Sequence, residues 1–510
     1  MPTHPALRLA ASGAAAVLAL SLPALAKPVP APVPIPRAMA PARSATELPM
    51  TRQLPPEVLQ ALQRVGVPAD ALSAVLIEAD SGHTVLAARQ HQPRNPASLM
   101  KLLTTAAALD RLGPAFSWAT PVWLNGPVQG GVLEGSLHIK GSGDPKLVLE
   151  RVWLLLRRVQ QSGVREIRGD IVLDNSAFNV PDIAPGDFDG EPLRPYNVRP
   201  AALLLNYRTV LYTFVPDAAA GVARVLVEPP LAGAAVDTSV PLAAGPCGDW
   251  RGALQASFGA SEQSNGQTRF AGRYTSSCGE LNWPVADPQP ASFDARLLEG
   301  LWREMGGQLT GRVREGPAPR DSRPAFEQRS PPLAELVRDI NKFSNNVMAQ
   351  QLFLTLALQA HPTQAATPES ARETLRQWLA ERTGETAADI VIDNGSGLSR
   401  DNRVSTQLLA RVLLRAWDSS VMSELMSSLP ISGVDGTLRR SRTSVGRAHL
   451  KTGTLRDANG LAGYVLSNSG RRYVLAAIVN HPNAPAARPA LEALVQWTMR
   501  DLPLRAIAQP

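Results

Sequence analysis

Strand-like segments occur at both ends of this chain, and that constrains its fold more than any other feature. Near the N-terminus, Ala74 to Ala87 reads as a hairpin, with "AVLIEA" and "HTVLAA" flanking the turn signal Asp80-Ser81-Gly82. Near the C-terminus, "HLKTGTL", "LAGYVLS" and "RYVLAAIVN" read as strands separated by Asn459-Gly460 and Asn468-Ser469-Gly470. A closing amphipathic helix follows near Pro489 to Asp501. One sheet built from both ends, with helices on it and everything else inserted between, gives an α+β, multidomain fold.

The intervening chain has two textures. From Pro114 to about Pro290, short strand-like runs such as "SLHI", "GDIVLD" and "ARVLVEPP" alternate with Gly and Pro, interrupted by one helix near Leu147 to Gln161. Residues 114–290 therefore read as an inserted strand-rich region of two domains. After Ala291 helical spacing dominates, over Ser292–Met305, Leu333–Gln359, Pro368–Ala380 and Thr406–Asp418. Residues 57–113 and 291–505 then form one discontinuous domain.

The first 26 residues read as a secretory signal peptide. A basic start is followed by apolar Leu9 to Leu22, then Ala24-Leu25-Ala26. Residues 27–56 are proline-rich and read as an extended linker. Export implies an oxidising compartment, so Cys247 and Cys278, the two cysteines, are expected to form a disulfide. A net charge of +7 spread over 510 residues, without a long Lys/Arg run, does not suggest nucleic acid. No later stretch is apolar enough to span a membrane, and no His or Cys cluster suggests a metal.

Lysine usage points to the chemistry. Of 51 basic residues only six are lysine: Lys27, Lys101, Lys140, Lys146, Lys342 and Lys451. Arginine keeps its proton in a protein, whereas a buried lysine can release it and act as a base. Lys101 follows Ser98 by three residues at the start of a predicted helix over 97–112, so both share a face near free backbone N–H groups. That combination describes an activated serine nucleophile. Ser344-Asn345-Asn346 lies on a helical stretch, where a kink or cap is the plainer reading. Lys451 opens "KTGT" on a strand, where Gly453 would let a substrate backbone approach closely.

The ordered set Ser-x-x-Lys, Ser-x-Asn, Lys-Thr-Gly is the signature of penicillin-binding proteins and serine β-lactamases. With "GSGDPKL", "SNNVMAQQLF", "DNGSGLSR" and "SGVDGTLRR", the chain resembles the low-molecular-mass class C penicillin-binding proteins, D-alanyl-D-alanine carboxypeptidase/endopeptidases of the penicillin-binding protein 4 type. The 246 positions between Ser98 and Ser344 fit a family that inserts domains there.

The resemblance implies a DD-peptidase-like domain, an antiparallel sheet flanked by helices plus a helical subdomain. It implies Ser98 as nucleophile, Lys101 as base, Ser344 as proton relay to the leaving amine, and Asn346 as ligand of Lys101 and the substrate amide. Lys451 and Thr452 would hold the terminal carboxylate, and the N–H groups of Ser98 and Thr454 would form the oxyanion hole. Which lysine or serine takes the proton in acylation stays open. Asp144 and Arg400 would recognise the charged ends of a diaminopimelate side chain. No cofactor is implied. Peptidoglycan would be the substrate, β-lactams the inhibitors and the periplasm the location, without an anchor after cleavage. A homodimer is possible.

Overall fold

The computed structural model describes residues 50–259, 267–384 and 390–501. The expected signal peptide, residues 27–49 of the proline-rich stretch and the tail from residue 502 lie outside the described residues. Residues 50–56, expected to belong to the linker, are tied to the main sheet. The Thr51 N–H donates to Val85 O, and Thr51 O accepts from the Ala87 N–H.

That sheet has five antiparallel strands. Their spatial order is Thr84–Ala88, Leu72–Glu78, Arg472–Asn480, Ala458–Leu466 and Ala448–Leu455. Leu76 sits opposite Leu86 on one side and Leu475 on the other, so the N-terminal hairpin adds directly to the C-terminal strands. Side chains of a strand alternate between faces. Leu72, Ala74, Leu475 and Val479 pack under helices Pro56–Arg64 and Arg488–Arg500. Val75, Ile77, Ala476 and Ile478 face a second core with helices Met100–Leu112, Asn346–Ala360, Pro368–Thr383 and Thr406–Trp417. The central strand is covered on both faces, which is why "YVLAAIV" runs apolar without a break.

Several elements differ from expectation. Asn459-Gly460 does not turn the chain; both lie inside the strand Ala458–Leu466, and the reversal falls at Arg456-Asp457. A Cβ on Gly460 would lie 2.8 Å from Ala477 O and 3.0 Å from Leu99 Cδ1, so close packing explains this glycine. The helix expected over Leu333–Gln359 is two helices, Leu333–Phe343 and Asn346–Ala360. Ser344 caps the first in the left-handed region, and Asn345 caps the second by accepting from the Met348 N–H at 3.1 Å.

The strand-rich region runs past its expected end at residue 290. Strands Val313–Glu315 and Phe326–Arg329 complete a five-stranded mixed sheet with Ala119–Asn125, Ser136–Lys140 and Ile171–Asp174. Helix Pro290–Glu304 buries Phe293, Leu297, Leu301 and Trp302 in the same core. Strands of three and four residues carry too little alternation to read from sequence. A second five-stranded sheet includes Thr209–Asp217, Val222–Glu228 and Leu281–Ala286. One apolar core runs through both sheets, in place of two separate cores. Cys247 and Cys278 are bonded to each other, with an S–S distance of 2.07 Å.

Candidate active site

Ser98 sits in a short 3₁₀ turn, Ala97–Leu99, that runs into helix Met100–Leu112. The turn is strained and pinned. Ala97 is buried with φ 47°, a conformation costing roughly 1–3 kcal/mol for a residue with a Cβ. The Ala97 N–H donates to Asn95 Oδ1 at 2.9 Å, and the Asn95 N–H donates to Asn480 Oδ1 at 2.7 Å. Asn95 Nδ2 donates to the carbonyls of Ser399 and Arg400 at 3.0 and 3.2 Å. The sheet and the loop 393–401 thus grip the turn from two sides.

Lys101 is fully buried, and its Nζ lies 3.0 Å from Ser98 Oγ, 2.6 Å from Asn346 Oδ1 and 2.6 Å from Ser396 O. Burial first, and the nearby Lys451 second, push its pKa well below the usual lysine range. Lys451, also fully buried, donates to Ser344 Oγ at 2.9 Å and Thr452 O at 2.6 Å. Burial pushes it down to about 7. Ser344 has φ 56°, so a second residue of the site holds the left-handed conformation that L side chains disfavour. The three sequence motifs, remote along the chain, therefore form one hydrogen-bonded cluster.

Two of the segments that carry the resemblance, "DNGSGLSR" and "SGVDGTLRR", also supply supports for which no residue role was expected. The Ser396 carbonyl is one; its turn is organised by Asn394 Oδ1, which accepts from the N–H groups of Ser396 and Gly397 and from Ser396 Oγ. Another is a buried ion pair. Lys342 Nζ donates to Asp435 Oδ1 and Oδ2 at 2.9 and 2.6 Å and to Leu429 O at 2.6 Å. It ties the helix ending at Ser344 to the "SGVDGT" loop. That loop supplies Thr437 Oγ1, which accepts from the Thr452 hydroxyl at 2.8 Å.

Gly453 has a different role from the one expected. A Cβ there would lie 2.6 Å from Pro96 O and 3.1 Å from Ser98 N, so the backbone that approaches it is that of the turn carrying Ser98. Thr454, next along the edge strand, is exposed and lines a cleft of about 850 Å³ together with Ser98, Ser344, Asn346 and Arg400.

Asp144 is not among the residues lining that cleft. It is fully buried, its Oδ1 accepts from the Lys146 N–H at 2.8 Å, and its Oδ2 has no partner. Burial raises its pKa to about 6. The carboxylate that does line the cleft is Asp189, from the inserted region. Desolvation works against its charge, but the Tyr196 hydroxyl at 2.8 Å and the Asn197 amide at 2.8 Å overcome it and hold the pKa below the usual range. "DFDG" lacks a motif, and a carboxylate brought in by an inserted domain has no fixed spacing to the nucleophile. Among the described residues, no group of three or more His, Cys, Asp or Glu is placed to hold a metal.

With this geometry in place, comparison with known proteins is specific. Residues 58–501 match the model of the "D-Ala-D-Ala carboxypeptidase 3 (S13) family". The chain is 25% identical over 389 residues to the D-alanyl-D-alanine carboxypeptidase DacB of Haemophilus influenzae, covering 75% of this chain and 80% of that protein. It is 26% identical over 437 residues to a D-alanyl-D-alanine carboxypeptidase of Actinomadura sp. (strain R39), covering 82% of this chain and 79% of that one. The crystal structure of penicillin binding protein 4 from Haemophilus influenzae shares the fold, with a TM-score of 0.69 at 22% identity over 87% of this chain and 99% of that one. A cluster of buried lysines and cleft-lining serines at the join of sheet and helices, in a chain matched over nearly all its described length, places this protein in the D-Ala-D-Ala carboxypeptidase 3 (S13) family.

Proposed function

We propose that Ser98 attacks the carbonyl of the D-Ala–D-Ala bond and that Lys101 takes its proton. The chain is a serine D-Ala-D-Ala carboxypeptidase by family, and the observation that carries these roles is the threefold coordination of Lys101. A neutral amine has two N–H donors and one lone pair. Asn346 Oδ1 and Ser396 O, both at 2.6 Å, accept hydrogen bonds from the two N–H groups. The lone pair then points at Ser98 Oγ, ready to accept. Arginine could not do this.

Attack forms a tetrahedral oxyanion. The N–H groups of Ser98 and Thr454 flank its position at the contact between the nucleophile turn and the edge strand, each such donor contributing roughly 3–4 kcal/mol to the barrier. Ser344, hydrogen-bonded to Lys451, relays to the leaving D-alanine amine the proton that Lys101 took from Ser98, and the bond breaks to give an acyl-serine. Water then releases the peptide. Lys451 and the hydroxyls of Thr452 and Thr454 hold the terminal carboxylate.

Asp189 and Arg400, on the same cleft, suit the ammonium and carboxylate of a diaminopimelate side chain, in place of the pair Asp144 and Arg400. The cleft's 850 Å³ also admits the larger leaving group of a cross-linked stem, so DD-endopeptidase activity on peptidoglycan follows. The leader's composition supports action in the periplasm. No helix among the described residues is long and apolar enough to cross a membrane. A related structure from Haemophilus influenzae is complexed with a β-lactam, which supports covalent β-lactam binding here. Intact-mass measurement after incubation with penicillin tests the reading. One adduct is expected on the wild type and none on Ser98→Ala; an equal adduct on both would overturn it.

A further inference from the structure

Just before the edge strand Ala448–Leu455, residues 433–447 form a loop of one charge sign. Between Gly436 and Arg447 the chain has four arginines and no acidic residue. Arg447 donates to Ser467 O. Arg439, Arg440 and Arg442 are exposed, and none makes an ion pair or a side-chain hydrogen bond among the described residues. Asp435, the nearest acid in sequence, is committed to Lys342. The loop keeps its shape without the three guanidiniums. The Gly433 and Ser441 N–H groups both donate to Leu438 O, at 3.0 and 2.9 Å, and Ser432 Oγ donates to Thr443 O at 2.8 Å. Close like charges destabilise a fold through self-repulsion, and an anionic partner relieves it.

The position of the loop selects the anion. Thr437, two residues before Arg439, accepts from the Thr452 hydroxyl at 2.8 Å. Phe343, on the helix pinned to this loop by the Lys342–Asp435 pair, lines the cleft. Thr452 is one of the residues read as holding the terminal carboxylate, so the loop flanks the leaving-group side of the cleft. On that side a free stem peptide ends. A cross-linked wall continues there into neighbouring stems, which carry free carboxylates on terminal D-alanine and on diaminopimelate. A guanidinium matches a carboxylate in planar, two-bond pairs. A bilayer seated on the loop would instead lie over the rim of the cleft that the wall must enter.

We propose that Arg439, Arg440 and Arg442 form a docking surface for polymeric peptidoglycan, binding carboxylates of stem peptides next to the one at Ser98. The surface holds the enzyme on the cross-linked wall, and a single soluble stem peptide does not engage it. This rests on the reading of peptidoglycan as the substrate.

Co-sedimentation with purified sacculi tests it, on protein first acylated with penicillin so that the cleft is filled. The combined variant Arg439→Gln/Arg440→Gln/Arg442→Gln is compared with wild type. Wild type is expected to bind at low salt and to be released as salt rises, because exposed charges are screened beyond about 10 Å at 0.1 M. The variant is expected to bind at least about tenfold more weakly. Its release of D-alanine from a soluble monomeric pentapeptide, without penicillin, is expected to stay within about twofold of wild type. Amidation of the sacculus carboxylates is expected to erase the difference in binding. Equal binding of the two proteins to untreated sacculi overturns the proposal, as does a difference that survives amidation or one seen only with phosphatidylglycerol vesicles in place of sacculi. Failure of wild type to release D-alanine from the pentapeptide overturns the substrate reading instead.

Discussion

Lys101 and Lys451 are both fully buried, and a buried ammonium is stable only if it is paired or gives up its proton. No carboxylate pairs with either among the described residues, so the proton is what yields. This sets the pH dependence. The kcat/KM of the free enzyme rises with pH as Lys101 becomes neutral, then falls as pH passes about 7, where Lys451 loses the charge that attracts a carboxylate. Lys451→Arg removes the falling limb, since a guanidinium keeps its charge, and rates of D-alanine release across pH show it. Asp144 supplies a second check. Burial raises its pKa to about 6, so the folded state holds a proton that the unfolded state releases from about pH 4 upward. Stability therefore falls as pH rises through that window. Asp144→Asn recovers up to roughly 3 kcal/mol at pH 7 and little below pH 4, by denaturant unfolding, with KM unchanged. Asp189→Asn does the reverse, raising KM roughly tenfold with little change in stability. The clustered residues Ser98, Lys101, Ser344, Asn346 and Lys451 were legible because they fall in motifs of particular residue types at fixed local spacings. Asp189 was not, because it reaches the cleft from an inserted domain and only the folded chain sets its distance from Ser98.

At the scale of elements, two contacts between remote segments hold the site together. Gly453 lies against the turn carrying Ser98, and the atoms a Cβ would meet include backbone that cannot rotate away. Gly453→Ala is expected to slow penicillin acylation at least about a hundredfold, since a displacement near 1 Å at a nucleophile has that effect, while far-ultraviolet circular dichroism stays unchanged. The Lys342–Asp435 pair joins the helix before Ser344 to the loop before Thr452. Asp435→Asn leaves the Lys342 ammonium buried and half-satisfied. The expected loss is about 2–3 kcal/mol, below the range for a fully buried pair because Asp435 is 30% exposed. Thermal melting and the acylation rate report it together. Strands with long alternation and helices with clear periodicity were readable. The break at Ser344 was legible as a kink or cap in "SNN", but not as two separate helices, because apolar residues continue in both directions and the break is imposed by a left-handed backbone angle rather than by Gly or Pro.

At the scale of the molecule, the inserted region has a large apolar core of its own, while its Trp118, Phe178 and Ala202 join the core of the main sheet. The disulfide closes a loop with a sequence separation of 31 in the inserted region, and its loss removes about 4 kcal/mol in the chain-entropy model. Mild reduction is therefore expected to lower the melting temperature yet leave penicillin acylation at Ser98 within about twofold. The sheet built from both ends of the chain also has a consequence in time. Strand Leu72–Glu78 waits for Arg472–Asn480, so its pairing cannot form until nearly the entire polypeptide has been delivered. Lys451 arrives with that late segment, so the hydrogen-bonded cluster of the three motifs is complete only when the chain is nearly so. A chain ending before residue 448 would carry Ser98 and Lys101 but no third motif, and so is expected to be inert toward penicillin.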